Sequence, residues 1–321
     1  MKASVVGIYG AYFQVRPEGS QQVLLAKPRG KLRLREKTSG YLTPRERHLV
    51  TIGDVVEIQV DERKDAEGNI LQVFPRQNSF QRATVYQKQT LGANLDAVIV
   101  INAVDCPFFN SGLLARLLVE TALCKIKPIL ILNKMDYLKQ GIKPEYRQAV
   151  DIMKYFEEKR FSVFYEIFDN GISPALRHEI KQGRYLAFGE SGVGKSTFIN
   201  QMMGKKIQAT DMDEIILKGR HVTTNPVLYE MAGGIELIDV PGIREFGLMH
   251  RTRTEISAGF PEFDDLTCRF DNCLHLDEPD CGVKMALEEK RFPAFRYEQY
   301  INIMRSMIEH WKPRRGDMRR Q

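Results

Sequence analysis

The sequence predicts a multidomain protein with an all-β barrel at the N-terminus, a doubly wound parallel α/β sheet in the centre and a small helical unit at the C-terminus. Short apolar runs separated by turn residues occupy residues 1–77, and strand-like and helix-like runs then alternate over residues 78–248. Residues 249–321 combine a cysteine-rich stretch with helix-like runs and a basic tail. We therefore expect three domains with these boundaries.

The N-terminal domain is expected to be a barrel of the OB type. Strands are expected at residues 4–15, 22–26, 31–35, 55–60 and 70–74. This number of short strands over this length fits such a barrel, which is a common platform for RNA. Cations alternate near the third strand: Lys27, Arg29, Lys31, Arg33, Arg35 and Lys37. The alternation places them on one face, which is either a phosphate-binding surface or only the solvated face of a barrel.

A complete phosphate-binding loop lies between an expected strand at residues 184–188 and an expected helix at residues 196–203. Its residues are Gly189, Glu190, Ser191, Gly192, Val193, Gly194, Lys195, Ser196 and Thr197. The glycines let successive backbone N–H groups point into one concavity that holds phosphate oxygens, and the helix N-terminus adds partial positive charge. Lys195 would reach the β- and γ-phosphates, and the Ser196 hydroxyl would ligate Mg²⁺.

A guanine-reading tetrad, Asn133-Lys134-Met135-Asp136, follows a short apolar run at residues 128–132 that is typical of a buried parallel strand. Guanine presents N1–H and N2–H donors that the Asp136 carboxylate can accept together. Adenine lacks this pair of donors and would leave a desolvated carboxylate unpaired, which disfavours a permuted ATPase. Asn133 and Lys134 would brace the loop and cover the ring.

A third motif, Asp239-Val240-Pro241-Gly242, follows an expected strand at residues 235–238. Asp239 fits the carboxylate behind Mg²⁺, and the Gly242 N–H fits a sensor of the γ-phosphate. In an ordinary GTPase chain the guanine tetrad comes last, whereas here it comes first. Because a nucleotide site is assembled from loops at the carboxyl ends of parallel strands, the chain order can be permuted while the site survives. The motifs predict a circularly permuted GTPase.

Residues 219–224 lie in the right interval for a first switch. Thr223, or Thr224 beside it, would complete the Mg²⁺ shell only when the γ-phosphate is present. The position after Gly242 holds Ile243, which cannot orient an attacking water as a glutamine does in Ras-type GTPases. His221 is the candidate for this catalytic task, and a histidine that only packs or faces solvent is the alternative.

A metal site is expected near the C-terminus, at Cys268, Cys273, His275 and Cys281. Three thiolates and one imidazole in one short segment match a closed tetrahedral zinc site. Three cysteines do not pair evenly into disulfides. Since protein groups fill all four positions, the zinc ion would be structural rather than catalytic.

Composition sets the outer limits. A chain of 321 residues with 43% hydrophobic content can form several domains, and its net charge of +6 permits RNA binding without requiring it. The sequence has five cysteines, no secretory segment and no apolar run near the length of a membrane span. We therefore expect a cytoplasmic monomer without a membrane partner.

Together, these motifs resemble one family, the circularly permuted small-subunit ribosome-assembly GTPases known as RsgA or YjeQ. The resemblance implies an OB-fold, a permuted GTPase domain and a zinc-bearing C-terminal domain. It also implies binding to the small ribosomal subunit and its rRNA, and GTP hydrolysis to GDP stimulated by that subunit during late maturation. This sequence departs from the family pattern at two places. Val222 stands where the family usually has the first threonine after the histidine, and residues 165–171 lack the Ser-Ala pair that normally backs the guanine.

Two further hypotheses remain at this stage. The protein could instead be an RNA-binding protein in which nucleotide is mainly a structural ligand with negligible turnover. In addition, the second switch leads directly into the C-terminal domain, so γ-phosphate occupancy could move that domain through a short connection, and hydrolysis could release the ribosome.

Overall fold

The computed structural model describes most of the chain. The described residues are 1–29, 45–46, 49–60, 67–84, 87–141, 143–204, 226–240 and 246–310. Several sequence-predicted features lie outside them: the strand at 31–35, His221, Thr223, Thr224, Gly242, Ile243 and the basic tail at 312–321. The contacts given below concern the described residues.

The N-terminal strands form the expected closed barrel. The first six strands are β1 (Lys2–Tyr9), β2 (Tyr12–Pro17), β3 (Leu24–Pro28), β4 (Arg45–Glu46), β5 (Val55–Val60) and β6 (Glu67–Val73). The barrel closes in the order β1-β2-β3-β6-β5. The single strand predicted over residues 4–15 is wrong, because Gly10 turns the chain with φ 59° and Tyr9 then pairs with Tyr12. Residues 4–15 therefore form a hairpin.

A hairpin follows the barrel, in a stretch where the sequence predicts that α/β alternation has already begun. Strands β7 (Ser79–Ala83) and β8 (Gln87–Ala93) pair antiparallel, and β4 pairs with β8. Arg184, a residue of the central sheet, joins the sheet to the loop before β5. Its Nη1 donates to the Gly53 carbonyl at 2.8 Å, and its Nε donates to Glu236 of the same sheet at 2.6 Å.

The central sheet is doubly wound, as predicted. Its strands are β9 (Ala97–Ala103), β10 (Lys127–Asn133), β11 (Ser162–Tyr165), β12 (Gly183–Phe188), β13 (Val227–Met231) and β14 (Ile235–Asp239). They lie in the order β11-β10-β9-β12-β14-β13, and only the edge strand β13 pairs antiparallel. Every residue of β9 is buried, because apolar layers cover both faces of the sheet.

Helices form those two layers and most of the C-terminal unit. The helices are α1 (Ser111–Leu123), α2 (Pro144–Glu158), α3 (Pro174–Glu179), α4 (Lys195–Met203), α5 (Arg253–Ala258), α6 (Gly282–Glu288) and α7 (Ala294–His310). Leu117 of α1 and Met153 of α2 belong to one core, whereas Leu176 of α3 and Phe198 of α4 belong to the other. The first core continues into the barrel and into α7.

The C-terminal unit packs directly on α1 and α2. Gln299 of α7 donates to the Ser111 carbonyl at 3.1 Å. Arg296 of α7 donates to both carboxylate oxygens of Glu262, at 2.6 and 3.1 Å, and the Tyr155 hydroxyl of α2 donates to the same carboxylate at 2.8 Å. The side chain of Arg296 is almost fully buried. This ion pair lies within the C-terminal unit, and the Tyr155 hydroxyl bond to Glu262 ties the pair to α2.

The segment that leaves the central sheet toward the C-terminal unit is fixed at successive points. Phe246 stacks on Phe80, with ring centroids 5.4 Å apart. The Gly247 carbonyl accepts the Ala83 N–H at 2.8 Å, and the Met249 N–H donates back to the Ala83 carbonyl at 3.3 Å. A β-carbon at Gly247 would lie 2.3 Å from that carbonyl oxygen, so this close approach requires glycine.

A buried carboxylate on α1 fixes the next two residues of the segment. Glu120 is fully buried and accepts from Arg251 at 2.9 and 2.8 Å, and its Oε1 lies 3.3 Å from Nε2 of His250. Burial alone would raise the pKa of Glu120, but the hydrogen bonds from His250 and Arg251 outweigh burial and lower this pKa to about 2. Glu120 therefore stays ionised in the folded protein.

We expect Glu120→Gln to lower the free energy of unfolding by about 3 kcal/mol at neutral pH, because the Arg251 guanidinium would stay buried without its counter-charge. Since folding depresses the pKa of Glu120, its stabilisation is complete above the ordinary value of 4.5 and is lost as the pH falls toward 2. Urea unfolding of both proteins at about pH 7 and about pH 3 should show the difference shrinking in acid.

Glu255→Gln is the matched control for this prediction. Glu255 pairs with the same Arg251 at 3.4 Å, but its side chain is 42% exposed. An exposed pair contributes less than about 1 kcal/mol, and glutamine also preserves the capping box with Thr252. Equal losses in the two variants would contradict the role assigned to burial.

Candidate nucleotide-binding site and metal centre

The three predicted nucleotide motifs meet at one edge of the central sheet. The phosphate loop follows β12, the tetrad follows β10, and Asp239 ends β14. These strands are parallel, so their carboxyl ends share an edge although the motifs lie far apart in the chain. The permuted chain order therefore yields one site.

Backbone geometry fixes the phosphate loop. Gly194 precedes α4 with φ 104°, and a β-carbon there would lie 2.3 Å from the Asn133 amide nitrogen. A β-carbon at Gly189 would lie 2.5 Å from the Ile101 carbonyl oxygen. Lys195 is buried at the first turn of α4, and Ser196 beside it is exposed. The loop thus offers a helix N-terminus, a lysine and an accessible hydroxyl to a phosphate chain.

Asn133 connects the phosphate loop to two other loops. Its buried side chain donates from Nδ2 to the Val193 carbonyl at 2.8 Å and accepts the Phe168 N–H at Oδ1 at 3.0 Å. Lys134 takes a left-handed conformation with φ 62° and donates from Nζ to the Cys106 carbonyl. Asp136 is half-buried in the first turn of a 3-10 helix, Met135–Gln140. The tetrad thus combines a structural amide with a carboxylate beside it.

The loop after β11 lies in the stretch that lacks the Ser-Ala pair. Glu166 in this loop is buried and accepts from the Ser173 hydroxyl at 2.5 Å and from the Ser173 N–H at 3.1 Å. The Met135 N–H donates to the Glu166 carbonyl at 3.2 Å. The loop is therefore fastened to the tetrad by its backbone. The sequence does not reveal this role, since a lone glutamate is usually a surface residue.

Asp239 has the environment of a cation-binding carboxylate. Its Oδ1 is buried and has no hydrogen-bond partner among the described residues. Burial raises the pKa of Asp239, and the positive charge of Lys195 opposes this rise. A buried oxygen without a donor is costly, and the oxygen-rich set of Asp239 and Ser196 suits a hard divalent cation that accompanies phosphate. The residues present thus fit such an ion.

The four predicted metal ligands converge in the C-terminal unit. Their ligand atoms all lie within 4.8 Å of one another. The sulfurs of Cys268 and Cys281 are 3.9 Å apart, and they lie 3.5 and 3.4 Å from Nδ1 of His275. A tetrahedral zinc site has edges of about 3.8 Å between sulfurs and about 3.6 Å between sulfur and nitrogen. The cluster could therefore hold one four-coordinate metal ion.

Neighbouring groups orient this cluster. Nε2 of His275 lies 3.0 Å from the Ser257 hydroxyl, which leaves Nδ1 facing the thiols. The Tyr297 and Tyr300 hydroxyls donate to the carbonyls of His275 and Leu274, at 2.7 and 2.6 Å. Burial also lowers the pKa of His275, which favours the neutral imidazole that a metal requires. Ser257 and the two tyrosines escape sequence analysis because they lie 18 or more positions from His275.

His221, Thr223 and Gly242 lie outside the described residues.

Asn110 makes a contact with the phosphate loop that the sequence does not predict. Its Nδ2 donates to Glu190 at 2.9 Å, although the two residues are 80 positions apart in the chain. Over the described ranges, no helix is long and apolar enough to cross a bilayer.

The strand order, the phosphate loop and the inverted order of the motifs define a circularly permuted P-loop GTPase. The RsgA GTPase family model matches residues 73–249. A small ribosomal subunit biogenesis GTPase RsgA of Flavobacterium johnsoniae is 31% identical over 325 residues, covering 97% of this chain and 95% of that protein. The chain belongs to the RsgA GTPase family.

Solved structures agree with this assignment. YjeQ from Thermotoga maritima has a TM-score of 0.69 and 26% identity, covering 96% of this chain and 98% of that one. The structure of YloQ, described as a circularly permuted GTPase, has a TM-score of 0.64 at 21% identity, covering 98% of this chain and 96% of that one, and supports the fold. The expected family, fold class and assignment as a GTP hydrolase are confirmed.

We expect Asn133→Ala to weaken GDP binding by about 30-fold, because the variant loses two buried hydrogen bonds that hold the phosphate loop against Phe168. Titration with a fluorescent GDP analogue measures the effect. Asn78→Ala is the matched control, since the Asn78 side chain also makes two backbone bonds, both to Leu95 at 2.8 Å. Similar losses of GDP affinity in both variants would show that general destabilisation, not loop placement, weakens binding.

Proposed function

We propose that this GTPase binds the small ribosomal subunit and assists its late maturation. On binding, the subunit stimulates hydrolysis of GTP to GDP and phosphate, and hydrolysis drives release of the protein. The observation that carries the proposal is the convergence of the phosphate loop, the tetrad and Asp239 at one sheet edge, in a chain whose relatives are small-subunit biogenesis GTPases.

The barrel surface supports contact with rRNA. The ammonium of Lys27 lies 4.2 Å from the centre of the Tyr12 ring. Leu25 beside Lys27 is 41% exposed. A surface that combines cations with accessible aromatic and aliphatic groups suits phosphates and unstacked bases. We therefore favour the phosphate-binding interpretation of this face over a merely solvated one.

The chain supplies nucleotide-binding and hydrolytic groups from separate loops. Lys195 is the proposed contact of the β- and γ-phosphates, and Asp136 is the proposed acceptor for the guanine edge. Ser196 and Thr223 are the proposed ligands of Mg²⁺, with Asp239 behind them and Gly242 sensing the γ-phosphate. Mg²⁺ bound with GTP neutralises charge that develops during phosphoryl transfer.

Orientation of the attacking water has to come from elsewhere than the position after Gly242. Ile243 has no polar side-chain atom, so this residue cannot position a water. We propose His221 for this task, with the subunit placing the switch. This division of labour gives slow basal turnover and fast turnover on the ribosome.

The remaining assignments are proposals of the same kind. We propose a cytoplasmic monomer with domain boundaries at 1–77, 78–248 and 249–321. The β7–β8 hairpin belongs to the second domain on this division, although β4 pairs with it. The metal of the C-terminal domain is proposed to be a single structural Zn²⁺, because thiolate and imidazole ligands in a closed set of four suit zinc.

We expect the purified protein to contain one zinc ion per chain, and Cys268→Ser to lose it together with several degrees of melting temperature. Elemental analysis and thermal melting measure these two effects. Cys106→Ser is the control, since Cys106 is exposed and lies outside the cluster. Full zinc content in Cys268→Ser, or another metal in the native protein, would contradict the assignment.

We expect small ribosomal subunits to accelerate GTP hydrolysis by about two orders of magnitude or more, because binding would order the switch and its water-positioning group. Phosphate release is measured with the protein alone and with small subunits, while large subunits and ATP serve as controls. His221→Ala should lose most of the stimulated turnover and keep its affinity for GTP.

Two outcomes would redirect the proposal. Negligible turnover in the presence of demonstrated subunit binding would favour an RNA-binding protein in which nucleotide is a structural ligand. Equal affinity for the subunit with GDP and with a non-hydrolysable GTP analogue would contradict release by hydrolysis. Unchanged stimulation in His221→Ala would remove that residue from the mechanism but leave the GTPase assignment intact.

A further inference from the structure

The loop between β9 and α1, residues 105–110, lies beside the phosphate loop but belongs to none of the nucleotide motifs. A β-carbon at Gly192 would lie 3.5 Å from both the Cys106 carbonyl oxygen and Cδ of Pro107. The loop is therefore in contact distance of the nucleotide site. Its first residue is Asp105, an acidic side chain that is only 7% exposed.

Three groups hold the carboxylate of Asp105. Its Oδ1 accepts the Cys106 N–H at 2.7 Å, and its Oδ2 accepts the hydroxyl of Tyr146, a residue of α2 that is 2% exposed. The ammonium of Lys143 lies 3.7 Å from the same Oδ2. The hydrogen bond from Tyr146 is the largest of the effects that lower the pKa of Asp105, so the carboxylate is charged at neutral pH.

This arrangement fixes an unusual backbone conformation. Cys106 has φ 51°, a left-handed conformation that a residue with a β-carbon adopts at an energetic cost. The bond from its N–H to Asp105 offsets part of this cost and so stabilises the conformation that presents the Cys106 carbonyl. That carbonyl accepts Nζ of Lys134, the lysine of the guanine tetrad.

Lys134 benefits from such a fixed acceptor. A lysine side chain loses much of its rotamer freedom when it is held in one conformation. If the Cys106 carbonyl is already in place, the stem of Lys134 is extended across the base side of the site before nucleotide arrives. The binding of guanine then has less ordering to drive.

The other end of the loop is fastened to the phosphate loop. Asn110 donates from Nδ2 to Glu190 at 2.9 Å, while its Oδ1 accepts the Leu113 N–H at 2.9 Å as the N-cap of α1. The loop thus contacts the tetrad at its start and the phosphate loop at its end. It is a wall shared by the two parts of the nucleotide site.

We propose that Asp105 is a positioning residue for guanine-nucleotide binding, and that it acts through the Cys106 carbonyl on Lys134. The proposal rests on the proposed function only in requiring that the chain binds GDP or GTP. It concerns affinity and not the chemical step, because Asp105 acts through the Cys106 backbone on a lysine of the guanine tetrad.

A distinctive pattern of nucleotide preference follows. Lys134 covers the ring and does not read its edge, so loss of its tether should weaken GDP and inosine diphosphate by the same factor. The Asp136 carboxylate reads the edge and would still favour GDP over inosine diphosphate, which lacks the N2 amino group. For hydrolysis, KM should rise while kcat stays unchanged.

The test is a double-mutant cycle on the full chain, read by titration with a fluorescent GDP analogue and no ribosomes. The single variants are Asp105→Ala and Lys134→Met, and the double variant combines them. We expect each single change to weaken GDP binding by about tenfold, and the double variant to bind no more weakly than Lys134→Met within about twofold. Such non-additivity is expected only if Asp105 acts through Lys134.

A more conservative substitution tests the proposal if Asp105→Ala fails to fold. Tyr146→Phe removes one hydroxyl that donates to Asp105, and should weaken GDP binding by about threefold. Tyr155→Phe is the matched control, because the Tyr155 hydroxyl also donates to a partly buried carboxylate, that of Glu262, but far from the nucleotide motifs. Melting temperatures of all variants accompany the titrations.

The outcomes separate this proposal from the proposed function. GDP binding by the native protein with unchanged affinity in Asp105→Ala and Tyr146→Phe would overturn the role of Asp105. Additive losses in the double variant, or equal losses in Tyr146→Phe and Tyr155→Phe, would overturn it as well. A native protein that binds no guanine nucleotide would instead contradict the GTPase function itself.

Discussion

The side-chain amide of Asn133 is the interaction on which the nucleotide site depends. The tetrad and the phosphate loop follow different strands, β10 and β12, and β9 lies between these two strands in the sheet. The amide closes this gap with one bond to the backbone of each flanking loop. Gly194 must lack a side chain for this approach. A permuted chain order is thus compatible with an intact site, because these hydrogen bonds join residues that are close in space and do not require them to be close in sequence.

The same spatial reasoning changes the expected path from the second switch to the C-terminal domain. A short free connection would let that domain swing, but residues 246–251 pack against Phe80, pair with Ala83 and end in the buried ion pair of Glu120 and Arg251. The C-terminal domain therefore packs against α1 and is not attached to the central domain through the second switch alone. Any rearrangement on hydrolysis has to break desolvated contacts or move α1 together with the domain.

Sequence reasoning succeeds where the determinants are local and fails where they are distant. The metal cluster can be predicted from residue spacing because its four ligands lie in one short segment, residues 268–281. Strand β10 can be predicted from an unbroken apolar run. Strand β13 escapes detection because it is an edge strand with only one buried residue, Tyr229. The Gly10 turn is missed because a single glycine within an apolar run is a weak signal. Asp105 is missed because its partner Tyr146 lies 41 positions away.

The energetic consequence of these contacts bears on how a ribosome could drive the protein. Arg184 joins the barrel to the sheet, the bonds of Glu120 to Arg251 and of Tyr155 to Glu262 join the central domain to the C-terminal domain, and an apolar core runs through all three parts. A ligand shifts a conformational equilibrium only by its difference in affinity for the two states. Under the proposed function, the γ-phosphate would contact a few loop groups, whereas the subunit would contact a larger surface that includes the barrel. The bound subunit would therefore, under the same proposed function, supply more free energy for a rearrangement between domains than the γ-phosphate would.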